Sequence, residues 1–332
     1  MSAHRIDVHH HIIPEEYVKR LASIGITESY GQPFPKWTPE TSLDFMKKLN
    51  VQTGMMSIST PGVYFKNYKN HKFSEALARF CNEYMAEVKQ KYPGRFGGFA
   101  TIPLLDVEKS LEELKYSLNE LKLDGVCLLT NYDGKYLGDG VFDKFFDELH
   151  RQKAVVYIHP TDPAGVYDPK LEIANSLIEA PFETTRAVTN LIYTGTTDRC
   201  PDIKYILSHG GGAIPYLAWR VALVKYAHKE TRPSVLRSLY DFLIKGGPES
   251  GLKILKKMYY DTAITSSPYA LKAMQEFVGP SQIVFGSDLP FSQKIAPMLA
   301  KDLRKYTGFS EEEFEAIDYK NCLALFPQLD DK

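Results

Sequence analysis

The stretch Ile6-Asp7-Val8-His9-His10-His11-Ile12-Ile13-Pro14 reads as a short β-strand that ends in a His-x-His pair. Because side chains alternate between the two faces of a strand, His9 and His11 point to one side and His10 to the other. Two imidazoles on one face at the end of a strand can share a divalent metal ion. A run of three histidines can also be a surface feature, so the interpretation depends on what recurs along the chain.

Short apolar runs alternate with helical patterns along the whole chain. Between the runs, apolar residues recur at i, i+3 and i+4, as in Ser74–Lys91 and Val107–Leu121. Strand–helix alternation repeated eight times predicts an α/β fold of the (β/α)8 TIM-barrel type. A doubly wound open sheet is the second possibility, but no Gly-x-Gly-x-x-Gly opens a helix, so its dinucleotide-binding version has no support. The eight predicted strands are Arg5–His9, Thr53–Ser59, Phe96–Thr101, Gly125–Leu129, Val155–His159, Ile203–Ser208, Met258–Thr262 and Ile283–Gly286.

Three regions distort a regular barrel. Residues 22–38 are loop-like, and residues 228–256 predict extra helices between the sixth and seventh strands. The tail Ser310–Leu325 predicts a C-terminal helix, since Ser310 followed by Glu313 is a capping-box pattern. With no internal repeat and no clear interdomain linker, we expect a single barrel domain over residues 1–332.

Composition narrows the class of protein. The 332 residues include 40 basic and 41 acidic side chains, so nothing indicates a nucleic acid or an anionic membrane as partner. No apolar run is long enough to span a bilayer or to form a signal peptide. A reduced, cytoplasmic protein is expected from four scattered cysteines, Cys81, Cys127, Cys200 and Cys322.

The ends of the predicted strands carry the candidate chemistry, because catalytic groups of TIM barrels lie there. Strand 1 ends at His9 and His11, strand 5 at His159, strand 6 at His209 and strand 8 at Asp288. Three neutral imidazoles and a carboxylate suit Zn²⁺ or a similar ion, with room for water or substrate. A further histidine can act as general acid or base. Any one of these residues alone could be an ordinary polar residue, but four strand ends together indicate a metal centre.

Several motifs resemble those of the amidohydrolase superfamily, and they occur in the same order. The nearest branch is the α-amino-β-carboxymuconate-ε-semialdehyde decarboxylase group, which also holds metal-dependent aromatic-acid decarboxylases. Within it, Ser57–Val63 and Phe182–Val188 are most similar to 6-methylsalicylate decarboxylases. The motifs are Asp7-x-His9-x-His11, Tyr157-Ile158-His159-Pro160, Ser208-His209-Gly210-Gly211-Gly212, Tyr259-Tyr260-Asp261-Thr262-Ala263 and Gly286-Ser287-Asp288-Leu289-Pro290-Phe291.

This resemblance implies one divalent metal ion held by His9, His11, His159 and Asp288, with His209 as the acid or base beside it. We expect zinc, with manganese as the alternative. Binuclear branches of the superfamily use a carbamylated lysine at the end of strand 4. The corresponding residues here, 128–131, include no lysine, which favours a single metal.

The resemblance also implies substrate contacts. Arg220 matches an arginine that grips the substrate carboxylate from a neighbouring subunit, which implies a homodimer, and Arg186 is a second candidate. A further carboxylate-binding arginine of the family corresponds to Ser42, so a small monocarboxylic acid with an apolar ring is favoured. Candidate walls for that ring are Phe34, Trp37, Tyr64, Phe65 and Phe291.

The leading functional hypothesis is a metal-dependent, non-oxidative decarboxylase (a carboxy-lyase) of a hydroxy-aromatic or enol-like carboxylic acid, such as a salicylate. Asp288 or His209 would deliver a proton to the carbon that bears the carboxylate, and CO₂ would leave. The alternative is hydrolysis of an ester, lactone or amide by metal-bound hydroxide, with His209 as base; a hydratase is a third option. A non-catalytic barrel would be expected to have lost a metal ligand, and none is missing from the sequence.

Overall fold

The computed structural model describes residues 5–65, 71–104, 106–163, 172–227 and 248–330. Eight parallel strands form one sheet whose spatial order follows the order of the chain. All eight predicted strands are confirmed, with ends that differ by a few residues. The strands are β1 (Arg5–His11), β2 (Val51–Ser57), β3 (Phe96–Thr101), β4 (Gly125–Leu129), β5 (Val155–His159), β6 (Lys204–Leu207), β7 (Tyr259–Asp261) and β8 (Ile283–Val284).

Backbone hydrogen bonds join the last strand and the turn after it to the first strand. Val8 N donates to the Phe285 carbonyl at 3.0 Å, and Asp288 N donates to the His9 carbonyl at 2.8 Å. These bonds curl the sheet into a nearly closed barrel, so the predicted TIM-barrel fold is confirmed. They also bring the carboxyl end of β1 beside Asp288, although the two lie at opposite ends of the sequence.

Helices cover the outside of the barrel and bury apolar stripes against the strands. In the helix after β2, for example, Leu77, Cys81, Met85 and Val88 are buried at helical spacing. The α-helices of the described residues are Glu15–Ala22, Pro39–Lys48, His71–Lys91, Val107–Lys115, Asp143–Arg151, Asn175–Tyr193, Thr196–Arg199, Ile214–Ala227, Pro248–Lys256, Pro268–Val278, Ala296–Lys305, Glu311–Glu315 and Asn321–Leu325.

The C-terminal tail closes the amino end of the barrel. Phe326 packs against Phe99 of β3, with ring centroids 5.7 Å apart, inside the cluster of side chains that fills the barrel. At the same end, the Arg5 guanidinium pairs with Asp318 at 2.9 Å. The carboxyl end, where the histidines lie, is therefore the end at which a substrate can enter.

The predicted additions to the barrel are partly observed. The capping box is confirmed, since Ser310 Oγ accepts from Glu313 N and Glu313 Oε2 accepts from Ser310 N. The tail runs as Glu311–Glu315, a π-helical turn Ala316–Lys320, and Asn321–Leu325. Of the extra helices predicted over 228–256, Pro248–Lys256 is helical and residues 228–247 lie outside the described residues. The loop-like region 22–38 contains a hairpin, Glu28–Ser29 paired with Gln32–Pro33.

Two further observations bear on the predicted class of protein. No helix within the described ranges is both long and apolar enough to cross a membrane. The four cysteines are free and buried.

Candidate metal centre and active site

Four predicted ligand side chains converge at the carboxyl end of the barrel. His9 and His11 end β1, His159 ends β5, and Asp288 follows β8. One ligand atom from each of them lies within 4.8 Å of the other three, and all four residues are buried. The Nε2 atoms of His9 and His11 are 3.0 Å apart, and Asp288 Oδ1 lies 3.2 Å and 3.4 Å from them. The structure thus brings the predicted set around one point.

Each of the three imidazoles is oriented through its Nδ1 atom, so that Nε2 points into the cluster. Carboxylate and carbonyl oxygens only accept hydrogen bonds, so they fix the proton on the Nδ1 atom that they face. Partners of this kind commonly orient metal-binding histidines. Two such contacts, each 2.8 Å long, join Nδ1 of His9 to Asp261 Oδ2 and Nδ1 of His159 to the Pro160 carbonyl. Nδ1 of His11 lies 2.8 Å from Ser57 Oγ, a hydroxyl that can donate or accept.

The charges of the cluster suit a cation. Burial lowers the pKa of His11 to about 4 and that of His159 well below its usual range, so both imidazoles are neutral. Burial opposes charge on Asp288 too, but His9, His11 and His209 hold the pKa of this carboxyl well below its usual range. His9 differs: burial lowers its pKa, but Asp261 and Asp288 together raise it to about 10. A metal ion would therefore meet one carboxylate and two neutral imidazoles, and would displace a proton from His9.

The donor set fits one divalent metal ion, because three imidazole nitrogens and a carboxylate oxygen form a mixed N/O shell. The end of β4 adds no further ligand. Thr130 Oγ1 and Asn131 Nδ2 there donate to the Glu183 carboxylate, at 3.2 Å and 2.8 Å. A single-metal site is the arrangement that these side chains support.

His209 lies beside the cluster on the second oxygen of Asp288. Its Nε2 is 3.7 Å from Asp288 Oδ2, whereas Oδ1 faces His9 and His11. The imidazole is 14% exposed, so solvent reaches it. Both residues have left-handed backbones, with φ of 53° at His209 and 62° at Asp288. Such conformations are unfavourable for residues other than glycine and concentrate at functional sites.

Asp261 is a functional residue to which the sequence analysis assigned no role. Its Oδ2 accepts from His9 Nδ1 and from the Tyr157 hydroxyl, while its Oδ1 accepts from the backbone N–H of His209 at 2.8 Å. One buried carboxylate therefore positions both a candidate ligand and the candidate acid or base. A signal existed in the sequence, because Asp261 lies near the end of the predicted strand Met258–Thr262, and the other site residues also lie at or near strand ends.

Asp7 ties the first strand to the turn that carries Asp288. Its Oδ1 accepts from the backbone N–H groups of His9 and Ser287, at 3.1 Å and 2.9 Å. Its Oδ2 accepts from Ser287 Oγ at 2.6 Å and contacts His10 Nδ1 at 3.1 Å. Since Asp7 is fully buried, these contacts fix the relative positions of β1 and Asp288.

His10 points away from the cluster, as the alternation of the strand predicts. Its Nε2 lies 2.8 Å from Ser42 Oγ, which accepts from Trp37 Nε1 at 2.8 Å. Because an indole N–H only donates, the Ser42 hydroxyl can give its own proton to His10 Nε2. His10 Nδ1–H then donates to Asp7, and a buried chain of hydrogen bonds runs from Trp37 to Asp7.

The two aromatic residues predicted to contact substrate differ in position. Phe291 borders the cluster, with its ring centroid 5.7 Å from that of His11, and it is 37% exposed. Trp37 is buried among the helices outside the strands, where its ring lies against Tyr84 and its N–H is held by Ser42. Its observed contacts are those of a core residue. The other predicted ring walls, Phe34, Tyr64 and Phe65, pack on the core cluster.

Neither of the two predicted carboxylate-binding arginines makes a described contact with the cluster of its own chain. Arg186 pairs with the buried Glu183 at 2.8 Å and with Glu179 at 3.5 Å. Arg220 is exposed on the helix Ile214–Ala227. Among the described residues, no hydrogen bond or ion pair links either guanidinium to the histidines.

Comparisons with known proteins agree with this geometry. The family described as amidohydrolase matches residues 6–328 of the chain. The chain belongs to the amidohydrolase family. This amidohydrolase is 38% identical to decarboxylase macB of Penicillium terrestre, over 98% of this chain and 95% of that protein. It is 34% identical to 6-methylsalicylic acid decarboxylase of Penicillium expansum, over 98% of this chain and 97% of that protein. The predicted family and its 6-methylsalicylate subgroup are confirmed.

The fold comparison includes a solved structure of 5-carboxyvanillate decarboxylase from Novosphingobium aromaticivorans, complexed with manganese and a nitrobenzoic acid. The amidohydrolase matches it with a TM-score of 0.81 and 21% identity, over 97% of this chain and 96% of that chain. At this identity the likeness establishes the shared barrel fold.

Proposed function

We propose that this amidohydrolase is a metal-dependent, non-oxidative decarboxylase of a hydroxy-aromatic acid of the salicylate type. The observation that carries the proposal is the double use of Asp288. One oxygen faces two imidazoles of the candidate metal site, and the other faces His209. A cation site and a proton-transfer group therefore share one carboxylate. Relatives named 6-methylsalicylic acid decarboxylase support the substrate class.

His9, His11, His159 and Asp288 would hold the metal ion. We propose zinc, since three imidazoles and one carboxylate suit it well; the manganese in the 5-carboxyvanillate decarboxylase structure makes that ion the alternative. When bound, the ion would act as a Lewis acid that attracts the carboxylate and hydroxyl oxygens of the substrate and stabilises their negative charge. Elemental analysis of the purified protein tests this assignment.

The chain's own residues would supply the proton. Decarboxylation replaces a bond from ring carbon to carboxylate by a bond from ring carbon to hydrogen, so one proton enters and one CO₂ leaves. A proton on His209 Nε2, which lies 3.7 Å from Asp288 Oδ2, would pass to the ring carbon, after which the electron pair of the broken C–C bond restores the aromatic ring. Solvent reaches His209 and can return the proton. Phe291, beside His11, would flank the apolar ring.

We further propose a homodimer in which Arg220 reaches the site of the neighbouring subunit. On the same helix, Tyr216 is 88% exposed to solvent and Trp219 is 52% exposed. Large exposed apolar groups often mark an interface. Sedimentation of the wild type and of Trp219→Glu tests this. A dimer that becomes a monomer in the variant supports the proposal, and a wild-type monomer contradicts it.

We propose that the protein works in the cytoplasm. The support is that Cys81, Cys127, Cys200 and Cys322 are free thiols, as is usual in reducing compartments. Localisation of a tagged full-length chain in its host cell checks this.

The decisive assay incubates the metal-loaded protein with 6-methylsalicylate, salicylate and 2,6-dihydroxybenzoate in D₂O, and with a panel of lactones. We expect CO₂ release and one deuterium at the vacated ring carbon. The His209→Asn variant should bind metal like the wild type but lose activity. Turnover of the lactones alone would establish a hydrolase and overturn the proposal.

A further inference from the structure

Tyr30 occupies an unusual backbone position near the mouth of the barrel. Together with Gly31 it forms the two-residue turn of the hairpin between Glu28–Ser29 and Gln32–Pro33. Both turn residues have positive φ, 49° for Tyr30 and 71° for Gly31. Turns of this type favour asparagine or aspartate followed by glycine, and a bulky aromatic residue there is strained. Backbone strain of this kind persists where the surrounding structure holds the residue in place, and it occurs often at functional sites.

The hydroxyl group of Tyr30 is buried and unsatisfied. Within the part of the chain that the structure describes, Tyr30 Oη has no hydrogen-bond partner. Buried hydroxyls are normally paired, so an orphan group suggests a partner outside the described residues, such as a bound ligand. The strained turn and the orphan hydroxyl are independent features of one residue.

Two hydrogen bonds tie this hairpin to the loops at the carboxyl end of the barrel, where the candidate active site lies. Ser29 Oγ donates to the Thr60 carbonyl at 2.8 Å, in the loop after β2. Thr60 Oγ1 lies 3.0 Å from Thr161 Oγ1, two residues beyond His159. Burial raises the pKa of Tyr30 well above the usual range, and the negative charges of Asp162, Glu183 and Asp288 raise it further. The phenol therefore keeps its proton and acts as a hydrogen-bond donor.

We propose that Tyr30 is a substrate-binding residue whose hydroxyl donates a hydrogen bond to an oxygen of the hydroxy-aromatic acid. This assignment rests on the proposed function for the substrate class. The acceptor is the carboxylate or the ortho-hydroxyl oxygen, both of which are hydrogen-bond acceptors at neutral pH. No family motif quoted from the sequence includes this residue.

The test is Tyr30→Phe, which removes only the hydroxyl. We expect kcat/KM for 6-methylsalicylate and the affinity for salicylate to fall on the order of 10- to 100-fold, as for a lost hydrogen bond to a charged group. Metal content should be unchanged. Thermal stability should be unchanged or higher, because the hydroxyl that is removed has no partner among the described residues. A merely structural tyrosine would lower stability and leave affinity alone.

The matched control is Tyr205→Phe. Tyr205 on β6 also carries a buried hydroxyl that is unpaired among the described residues, but its charged neighbour is Arg199. This variant should keep activity, metal content and salicylate affinity.

The affinities of the wild type and of Tyr30→Phe for benzoate and for phenol then identify the acceptor. If Tyr30→Phe loses affinity for salicylate and benzoate but not for phenol, the carboxylate is the acceptor. If the variant loses affinity for salicylate and phenol, the hydroxyl oxygen is the acceptor.

Binding and turnover separate the two proposals. In one outcome the wild type releases CO₂, and Tyr30→Phe keeps both kcat/KM and salicylate affinity within about twofold of the wild type. A twofold change is much smaller than the loss of one hydrogen bond would cause. The role of Tyr30 would then be refuted, and the proposed function would stand. If the wild type decarboxylates no hydroxybenzoic acid, the proposed function fails. Salicylate calorimetry on the two proteins then still decides whether Tyr30 binds the acid: weaker binding in the variant supports the assignment, and equal or absent binding overturns it.

Discussion

Nδ1 of His9 lies 2.8 Å from Oδ2 of Asp261, and both side chains are fully buried. The two residues are 252 positions apart, so only the closed barrel brings them together. Oδ1 of Asp261 accepts from the backbone N–H groups of His209 and Ala263. Every contact of this carboxylate is with a donor, and its charge stabilises the orientation of the imidazole.

Asp261→Asn should therefore weaken metal binding by roughly 10- to 100-fold, in line with losses at groups that orient metal ligands. The amide N–H₂ of asparagine would face groups that themselves donate. Competition with a chelator measures the affinity. The control is Glu113→Gln, since Glu113 is a buried carboxylate between helices, bound by Asn82 and Arg79. It should lose stability but not metal affinity. Equal affinity in wild type and Asp261→Asn would contradict the assigned role.

Metal binding should release about one proton per ion near pH 8, because the ion displaces a proton from His9. Asp261 and Asp288 raise the pKa of His9 to about 10, whereas burial lowers that of His11 to about 4. Below the pKa of His9, affinity should fall about tenfold for each pH unit lost, while His11 stays neutral above about pH 5. Calorimetry in two buffers of different ionisation enthalpy counts the protons. Binding that is independent of pH between 7 and 9 would exclude this protonation state.

Removing a proposed ligand should abolish both metal binding and catalysis. His11→Ala should lose stoichiometric metal and lower kcat/KM on the order of 10³-fold, since the charge of the ion no longer stabilises the transition state. The surface residue His150, on the helix Asp143–Arg151, provides the control, and His150→Ala should keep both properties. Elemental analysis and CO₂ release are the two measurements. A His11→Ala protein with full metal content would remove this residue from the site.

Ser42→Ala should destabilise the fold by about 1–3 kcal/mol, the usual penalty for leaving buried polar groups unpaired. The substitution removes the only described partner of Trp37 Nε1 and of His10 Nε2. Urea unfolding of the metal-free protein gives the difference in free energy. Ser23→Ala at an exposed helix end should stay within about 0.5 kcal/mol of the wild type. A Ser42→Ala protein as stable as Ser23→Ala would show that the chain of hydrogen bonds contributes nothing.

The barrel and the clustered side chains could be predicted because both follow from local patterns. Strand alternation separates His9 and His11 from His10, and the strand-end rule selects His159, His209 and Asp288. The groups that orient them were not predictable in the same way. The contact of His10 with Ser42 depends on how one helix packs on the sheet, and no periodic pattern encodes it.

The predicted substrate contacts of Trp37 and Arg186 stay predictions. Trp37 and Arg186 carry suitable chemistry, but the structure pairs them with Ser42 and Glu183. A buried polar group takes the nearest partner, and the sequence does not show which partner is near. The proposed role of Tyr30 has no signal in the sequence, because tyrosine is disfavoured at positive φ and no pattern indicates a turn at this position.

The contacts between Asp7 and Ser287 span 280 positions of the chain. A ribosome makes His9 and His11 long before it makes Asp288. The growing polypeptide therefore carries a His-x-His pair without the carboxylate of Asp288, and the full set of candidate metal ligands comes together only when the barrel closes. The proposed ion would therefore bind tightly only after the barrel has closed, and we expect that a chain truncated before the eighth strand will not regain metal binding when metal is added.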